Sequence, residues 1–180
     1  MDLAGANYCR PDSVAGYSYG EGRMKTSLFA AFTLVVALTT GSFAKSETTK
    51  IVIEGGNLTR PVEIVDPALL KSFNVWGGRG VVINGAEQTG GFIIDWSAGI
   101  FDRPPAHGHR YEVSFFIGTA DPVYVVSYVS DASTQDDFVY IPRTALNTRA
   151  ISRDGLEDNW FRASTAWEQA VRPLLARDAR

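Results

Sequence analysis

The chain has 180 residues, of which 45% are hydrophobic and 21% are charged, and its 17 Lys and Arg against 20 Asp and Glu give a net charge of −3. This composition is typical of a folded globular protein and excludes disordered, collagen-like and coiled-coil chains. Because charges of both signs are scattered, we expect no nucleic acid partner. The single cysteine, Cys9, excludes an internal disulfide and any metal site built from several cysteines.

Segment 24–44 has the parts of a secretory signal peptide. Basic residues precede the apolar run Leu28–Leu38, and Ser42 and Ala44 are the small residues that a signal peptidase requires. A transmembrane anchor is the alternative, but it would need about 20 apolar residues, and polar residues from Thr39 onward end this run too early. We therefore predict cleavage after Ala44, export to the periplasm or the extracellular space, and no integral membrane association after processing.

Residues 1–23 precede this signal peptide, although a signal peptide normally begins close to the initiator. They are rich in Gly, Tyr and Ser, and the purine-rich codons of Gly20–Arg23 can hold a bacterial ribosome-binding sequence just upstream of Met24. We interpret 1–23 as a non-native upstream extension, with a disordered tail as the alternative. The exported product would then be a single globular domain, residues 45–180, without cysteine.

The first half of this domain alternates short apolar runs with turn residues. Ile51 and Ile53 fall on one face of a strand rich in β-branched residues. After a glycine turn, a second strand is expected to pair with it. Asp66 before Pro67 is typical of a helix start, with a capping side chain followed by a proline in the first turn. The predicted elements are strands at 50–54, 62–65, 81–83 and 92–95 and a short helix at 66–73.

The segment from Tyr111 to Ile141 predicts a three-stranded antiparallel meander. Every second residue of Tyr111–Ile117 is apolar and lies on one face, turn residues follow, and Val123–Val129 resumes the pattern. A third strand is predicted at 137–141.

The C-terminal segment changes to a helical period. Thr165 and Glu168 have the spacing of a capping box, which predicts a helix from about Ala166. Glu168 and Arg172 would form an outward i,i+4 pair, and Pro173 is expected to kink or stop the helix. The apolar residues at helical spacing are Trp167, Ala170, Val171 and Leu174.

A shorter helical turn is predicted at 156–161, so that Trp160 and Trp167 would both fill the space between helix and sheet. The predicted fold class is therefore α+β: an antiparallel sheet of five to seven strands, with a short internal helix and a C-terminal helix on one face.

Three strings, Gly91–Ser97, Arg110–Phe115 and Asn159–Ser164, resemble in order and spacing those of uncharacterised exported proteins of soil bacteria. The resemblance spans most of the mature chain. It implies export but brings no activity, cofactor or named functional family with it.

The loop between Trp96 and Arg110 is the predicted binding region. Ordered elements hold both of its ends and Pro104-Pro105 stiffens its middle, so it can present side chains at a low cost in entropy. Its mixture of aromatic, cationic and titratable groups suits an anionic or saccharide ligand. The candidate ligand-binding residues are Trp96, Phe101, Arg103, His107, His109 and Arg110.

The sequence supports a metal site or a catalytic triad less well than a binding loop. The pair His107 and His109 could share a metal with Asp95 or Asp102, but no third ligand has a fixed register, and solvated histidines are the simpler interpretation. Ser97 could join a histidine and Asp95 in a catalytic triad, although it is not in a nucleophile elbow. We therefore predict a non-catalytic exported binding or envelope accessory domain without metal or cofactor. A hydrolase or metal-dependent enzyme using the loop 95–110 is the alternative.

Overall fold

The computed structural model describes residues 47–103, 106–131, 133, 136–153 and 155–179. The predicted signal peptide, the cleavage point and residues 1–23 lie outside these residues and stay predictions. The predicted fold class is confirmed: the chain is α+β, with a mostly antiparallel sheet, a short internal helix and a C-terminal helix.

In chain order the elements are β1 (Lys50–Gly55), β2 (Val62–Ile64), α1 (Pro67–Ser72), β3 (Val82–Ile83), β4 (Ala86–Glu87), a 3-10 turn at Trp96–Ala98, β5 (Ile100–Phe101), β6 (His109–Phe116), β7 (Tyr124–Ser130), β8 (Phe138–Ile141), α2 (Ala145–Ala150), β9 (Asn159–Arg162) and α3 (Thr165–Asp178). Seven strands form one sheet in the order β2-β1-β6-β7-β8-β9-β5, and β3 and β4 form a separate hairpin. The predicted meander is confirmed as β6, β7 and β8.

Antiparallel pairing gives the large sheet two distinct faces, because paired residues point to the same side. The inner face carries the core. Trp167 of α3 is fully buried against it, with its ring edge-on to those of Phe73 and Tyr128 at centroid distances of 5.1 and 6.0 Å. The inner-face core residues include Ile51, Ile53, Val113, Phe115, Val126, Tyr128, Val139 and Phe161.

The start of α3 differs from the predicted capping box. Ser164 is the N-cap, and its hydroxyl accepts from the Trp167 backbone N–H at 3.2 Å. The Glu168 carboxylate does not reach back to the cap, because it accepts instead from the Asp137 backbone N–H at 3.1 Å. The predicted outward pair is therefore turned toward the sheet, and Glu168 fastens α3 to the start of β8.

Of the two effects predicted for Pro173, a kink or a stop, the stop does not occur, since α3 continues to Asp178. Proline removes one backbone hydrogen bond, but Trp167, Val171 and Leu175 are buried on both sides of it along the helix. This burial outweighs the local cost, and Pro173 itself lies on the exposed side.

Two further expectations were wrong in the regions around β9. The predicted turn at 156–161 overlaps strand β9, and residues 92–95 form only a single bridge, between Ile94 and Ala163, with Phe92 at a φ of 69°. Trp160 pairs with Tyr140, so it lies on the outer face of the sheet and not under α3.

Asn147 of α2, which the sequence did not indicate, extends the hydrogen bonding of β7. Its fully buried carboxamide donates to the Val125 carbonyl at 2.7 Å and accepts from the Val125 N–H at 2.8 Å. A side chain thus occupies the place of a neighbouring strand at a point where β8 has already ended.

The core also contains a buried cation, Arg153, with no exposed surface. Its guanidinium lies over the ring of Phe92 at 4.4 Å from the centroid, with Trp96 and Tyr124 at 5.4 and 5.5 Å. Burial lowers the pKa of Arg153 from its ordinary value, while the adjacent Tyr124 opposes this shift. An arginine remains charged in such a site because its ordinary pKa is so high.

Hydrogen bonds compensate for the burial of Arg153. Its guanidinium donates to the carbonyls of Val75, Gly77 and Arg79 at 2.9 to 3.1 Å, and its Nε donates to the Tyr124 hydroxyl at 3.2 Å. Arg153 therefore joins the loop after α1 to the sheet.

Candidate ligand-binding sites

The structure separates the six predicted site residues. Trp96 belongs to the inner side, where its ring contacts Phe92 and Phe161. Phe101 and Arg110 lie on the outer face of the sheet, and His109 lines a cleft beside α3. The remaining two, Arg103 and His107, are exposed in the loop between β5 and β6.

The outer face carries a cluster that we call the aromatic surface: Phe101, Phe138, Tyr140 and Trp160, with Arg110. The rings of Phe101 and Phe138 meet edge-on at 5.3 Å, and those of Tyr140 and Trp160 lie 5.1 Å apart. Phe101, Phe138 and Tyr140 are half-buried, whereas Trp160 is only 9% exposed. Large rings thus remain accessible on a face opposite to the core.

Arg110 covers the centre of the aromatic surface. Strands β7 and β8 separate it from β9, yet its guanidinium carbon lies 5.3 Å from the ring centre of Trp160. The side chain therefore extends across the outer face to reach the indole. Its exposed charge remains accessible to solvent or ligand.

The strand register extends the aromatic surface into a polar row. Successive cross-strand partners from β1 to β5 are Glu54, Glu112, Ser127, Tyr140, Trp160 and Phe101. Neighbouring strands lie about 4.8 Å apart, so these side chains form a regular line across the sheet. One end of the line is carboxylate and the other is aromatic.

Charged pairs border the aromatic end. Arg143 and Asp158 approach at 3.6 Å, and Arg162 pairs with Asp136 on the other side. The Tyr140 hydroxyl donates to Asp158 at 3.2 Å. Burial and this neighbouring carboxylate raise the pKa of Tyr140, so it keeps its proton at neutral pH.

A concave site, the His109 cleft, lies on the α3 side of the sheet and has a volume of about 290 Å³. His109 and Ser130 are opposite one another at the end of β6 and β7, and the Tyr111 hydroxyl donates to the Asn57 carboxamide at 2.7 Å. The cleft is lined by Asn57, His109, Tyr111, Ser130, Arg172, Leu175, Ala176 and Ala179.

A buried network fixes Arg172 in this cleft. Asp137, which has no exposed surface, accepts from Arg172 Nε at 3.0 Å and Nη2 at 2.9 Å, and also from the Tyr128 hydroxyl. Burial, followed by the bond to Asp137, raises the pKa of Tyr128. Tyr128 therefore stays protonated, and the Asp137 carboxylate joins Tyr128 to Arg172.

The enzyme alternative requires Asp95 and the histidines to converge, and they line different clefts. Asp95 lies in a cleft with Glu168, whereas His109 lies in the cleft just described. The Ser97 hydroxyl donates directly to Asp95 at 2.6 Å, a bond that lowers the pKa of Asp95, so no histidine stands between them. Within the described residues, no three His, Cys, Asp or Glu side chains are grouped as metal ligands.

Comparisons with protein-family models, curated proteins and solved structures gave no match. None of the helices in the described ranges has the length and apolar character needed to cross a membrane. What the candidate sites can bind is therefore inferred from their geometry alone.

Sequence reasoning missed three members of the aromatic surface: Phe138, Tyr140 and Trp160. The positions of Phe138 and Tyr140 could have been predicted from the alternation of the third meander strand. This alternation places them on the face opposite to Val139 and Ile141. Trp160 was missed because the sequence predicts a helical turn at 156–161, where the structure has strand β9. Arg172 was missed because its spacing from Glu168 suggested an ordinary surface pair.

Proposed function

We propose that this chain is an exported, non-catalytic binding domain that takes an extended saccharide chain on the aromatic surface. The observation that supports this most is the pair of partly exposed rings, Tyr140 and Phe101, on either side of Trp160, with Arg110 laid over that indole. Aromatic groups of this size are usually needed for burial in a small domain, so several left half-exposed on one face indicate an interaction surface.

The shape of the aromatic surface favours an extended ligand. Small molecules generally bind in concave sites, whereas this surface lies on the face of a sheet. Tyr140 and Phe101 lie on either side of Trp160, two strand spacings or about 10 Å apart, which suits a ligand with several consecutive sugar rings. Sugar C–H groups can then pack on Tyr140 and Phe101 while hydroxyls meet polar side chains.

The remainder of the row supplies those polar groups. Arg110 is a donor for sugar oxygens, and Ser127, Glu112 and Glu54 continue the line. Glu54 and Glu112 are direct cross-strand partners, an arrangement of like charges that destabilises a sheet by itself. Acceptance of ligand hydroxyl groups gives this pair of carboxylates a role that folding does not.

Affinity electrophoresis through soluble glucans, together with pull-down on cellulose, chitin and peptidoglycan, tests the proposal. We expect retention by at least one of these polymers. Tyr140→Ala and Phe101→Ala should each weaken it at least about fivefold, as expected for a lost contact worth about 1 kcal/mol.

Phe116→Ala is the matched control, because Phe116 is also half-buried and also contacts a cation, Lys50 at 4.6 Å, but lies far from the cluster on the same face. Unchanged retention in this variant is expected. Absence of retention by every polymer, or equal losses in all three variants, would contradict saccharide binding at the aromatic surface.

Export is part of the proposal and has its own measurement. Mass spectrometry of the product secreted or released from the periplasm should find Lys45 as the N-terminal residue. Recovery of peptides from residues 1–23 in cells would show that the upstream segment is translated, and an intact 24–44 segment would argue against cleavage.

A further inference from the structure

The hairpin of β3 and β4 forms a sheet of its own, separate from the seven-stranded sheet, and it turns at Asn84-Gly85. Both turn residues have a positive φ, 52° for Asn84 and 79° for Gly85, as the favoured tight turn of a β-hairpin requires. Both residues are exposed to solvent. The aromatic surface includes no residue of this hairpin, so the two features can be tested separately.

Asn84 differs from the other asparagines of the chain in its surroundings. It is the only asparagine that a glycine follows, so no side chain shields the next backbone nitrogen. An added Cβ at Gly85 would meet nothing within 4 Å. Within the described ranges, no hydrogen bond holds the Asn84 carboxamide or the Gly85 N–H. The other described asparagines all have hydrogen-bonded side chains: Asn57, Asn74, Asn147 and Asn159.

An exposed and unshielded Asn-Gly pair can react with itself. The Gly85 nitrogen attacks Cγ of Asn84, so that a new N–Cγ bond forms, the Cγ–Nδ2 bond breaks, and ammonia leaves with the proton of the Gly85 nitrogen. The resulting cyclic imide takes up one water molecule. Because this water can open the ring at either carbonyl, the product is aspartate or isoaspartate. The reaction needs water but no oxidant or reductant.

The hairpin has to open locally for this attack, because the backbone must rotate about ψ of Asn84 to bring the nitrogen onto Cγ. Each of its strands has only two residues, and a lone two-stranded hairpin is marginally stable. Two further hydrogen bonds close it, from the Gln88 N–H to the Val81 carbonyl at 2.8 Å and from the Gly80 N–H to the Glu87 carboxylate at 3.2 Å. We therefore expect it to open far more often than the large sheet.

We propose that Asn84 is a site of spontaneous deamidation and that its isoaspartate product prevents the hairpin from closing again. Isoaspartate routes the main chain through the side-chain methylene, which lengthens the turn by one backbone atom. The pairing of Ile83 with Ala86 depends on a turn of two residues with ordinary backbone length. Ile83 and Gln88 also line an open cleft beside the end of α1, so this one-way modification changes the cleft as the molecule ages.

Incubation of the folded full chain at mildly alkaline pH, followed by peptide mass spectrometry, tests the site. We expect the mass gain of deamidation at Asn84, at a rate at least about tenfold higher than at any other described asparagine. Asn84→Gln, which keeps a carboxamide but would need a larger ring, should not react. The same chain unfolded in urea is the reference for the reaction itself. Deamidation at Asn84 in urea but not in the folded chain would mean that the turn protects this residue, and would overturn the proposal.

Hydrogen exchange at the Gln88 N–H tests the effect on the hairpin. The isoaspartate form, separated by ion-exchange chromatography, should exchange this proton at least about tenfold faster than the unmodified chain. Asn84→Asp is the matched control, because it adds the same negative charge without lengthening the main chain, and it should leave the exchange rate nearly unchanged. Equal rates in the isoaspartate form and in Asn84→Asp would contradict the opening of the hairpin. Neither measurement depends on retention by polysaccharides.

Discussion

Two arginines of this molecule stack on aromatic rings, one inside the core and one on the outer face. Arg153 has no exposed surface and lies 4.4 Å from the Phe92 ring centre, whereas Arg110 is exposed and lies 5.3 Å from that of Trp160. The difference is in the hydrogen bonds. Four named acceptors take up the guanidinium of Arg153, while Arg110 is held over Trp160 chiefly by the ring.

The contact between an arginine and an aromatic ring thus has two different roles in this molecule. A buried guanidinium is costly to desolvate, so it persists only where carbonyl and hydroxyl oxygens replace water, and it then joins distant segments. An exposed guanidinium over an indole gains about 0.5 to 1 kcal/mol and can be displaced. The first arrangement stabilises the fold, and the second suits ligand recognition.

The largest effect is expected from Arg153→Met, which keeps much of the side-chain volume but leaves the carbonyls of Val75, Gly77 and Arg79 without their donor. We expect a loss of about 3 to 5 kcal/mol in the free energy of unfolding, measured by urea denaturation. Arg149→Met, at an exposed site of α2, is the control and should change stability by less than about 0.5 kcal/mol. Similar losses of stability in Arg153→Met and Arg149→Met would contradict the stabilising role of the buried guanidinium.

A smaller effect is expected from Tyr124→Phe. This change removes only the hydroxyl that accepts from Arg153 Nε at 3.2 Å, leaving a buried donor without its partner. The expected loss is about 1 to 3 kcal/mol. Tyr140→Phe on the outer face removes an exposed hydroxyl and should cost less than about 1 kcal/mol, so an equal cost at both sites would contradict the role given to burial.

The smallest change in stability is expected from Arg110→Ala, below about 1 kcal/mol. Loss of the covering side chain should make Trp160 more accessible, and acrylamide quenching of tryptophan fluorescence should increase. Arg103→Ala, which changes an exposed arginine of the loop between β5 and β6, is the control for quenching. A loss above about 2 kcal/mol for Arg110→Ala would mean that this residue stabilises the fold as Arg153 does.

The meander and α1 could be predicted because their signals are local. Alternation over Tyr111–Ile117 determines which side chains are buried, and the Asp66 carboxylate accepts from the Ala68 N–H at 2.7 Å, as expected of a helix cap. The end of α3 could not be predicted in this way, because burial of Val171 and Leu175 overrides the local effect of Pro173.

The sites were only partly predictable, because their members come from distant parts of the chain. Arg153 meets carbonyls 74 to 78 residues earlier in the sequence, and no local pattern indicates such partners. Phe101, Arg110 and His109 were identified from the composition of one loop, but alternation along β6 sends His109 and Arg110 to opposite faces. A loop rich in functional groups therefore contributes to two sites.

The sheet has short margins, with three residues in β2 and two in β5 at its edges, while the central strands β6 and β7 have eight and seven. Unpaired backbone at a sheet edge is a template on which other chains can add strands. Short edge strands leave few backbone groups unpaired. Where β7 extends past β8, the Asn147 carboxamide forms hydrogen bonds with the N–H and the carbonyl of Val125, so these groups are not available to another chain. The consequence is resistance to edge-to-edge aggregation, a property that Asn147→Leu should weaken at high protein concentration.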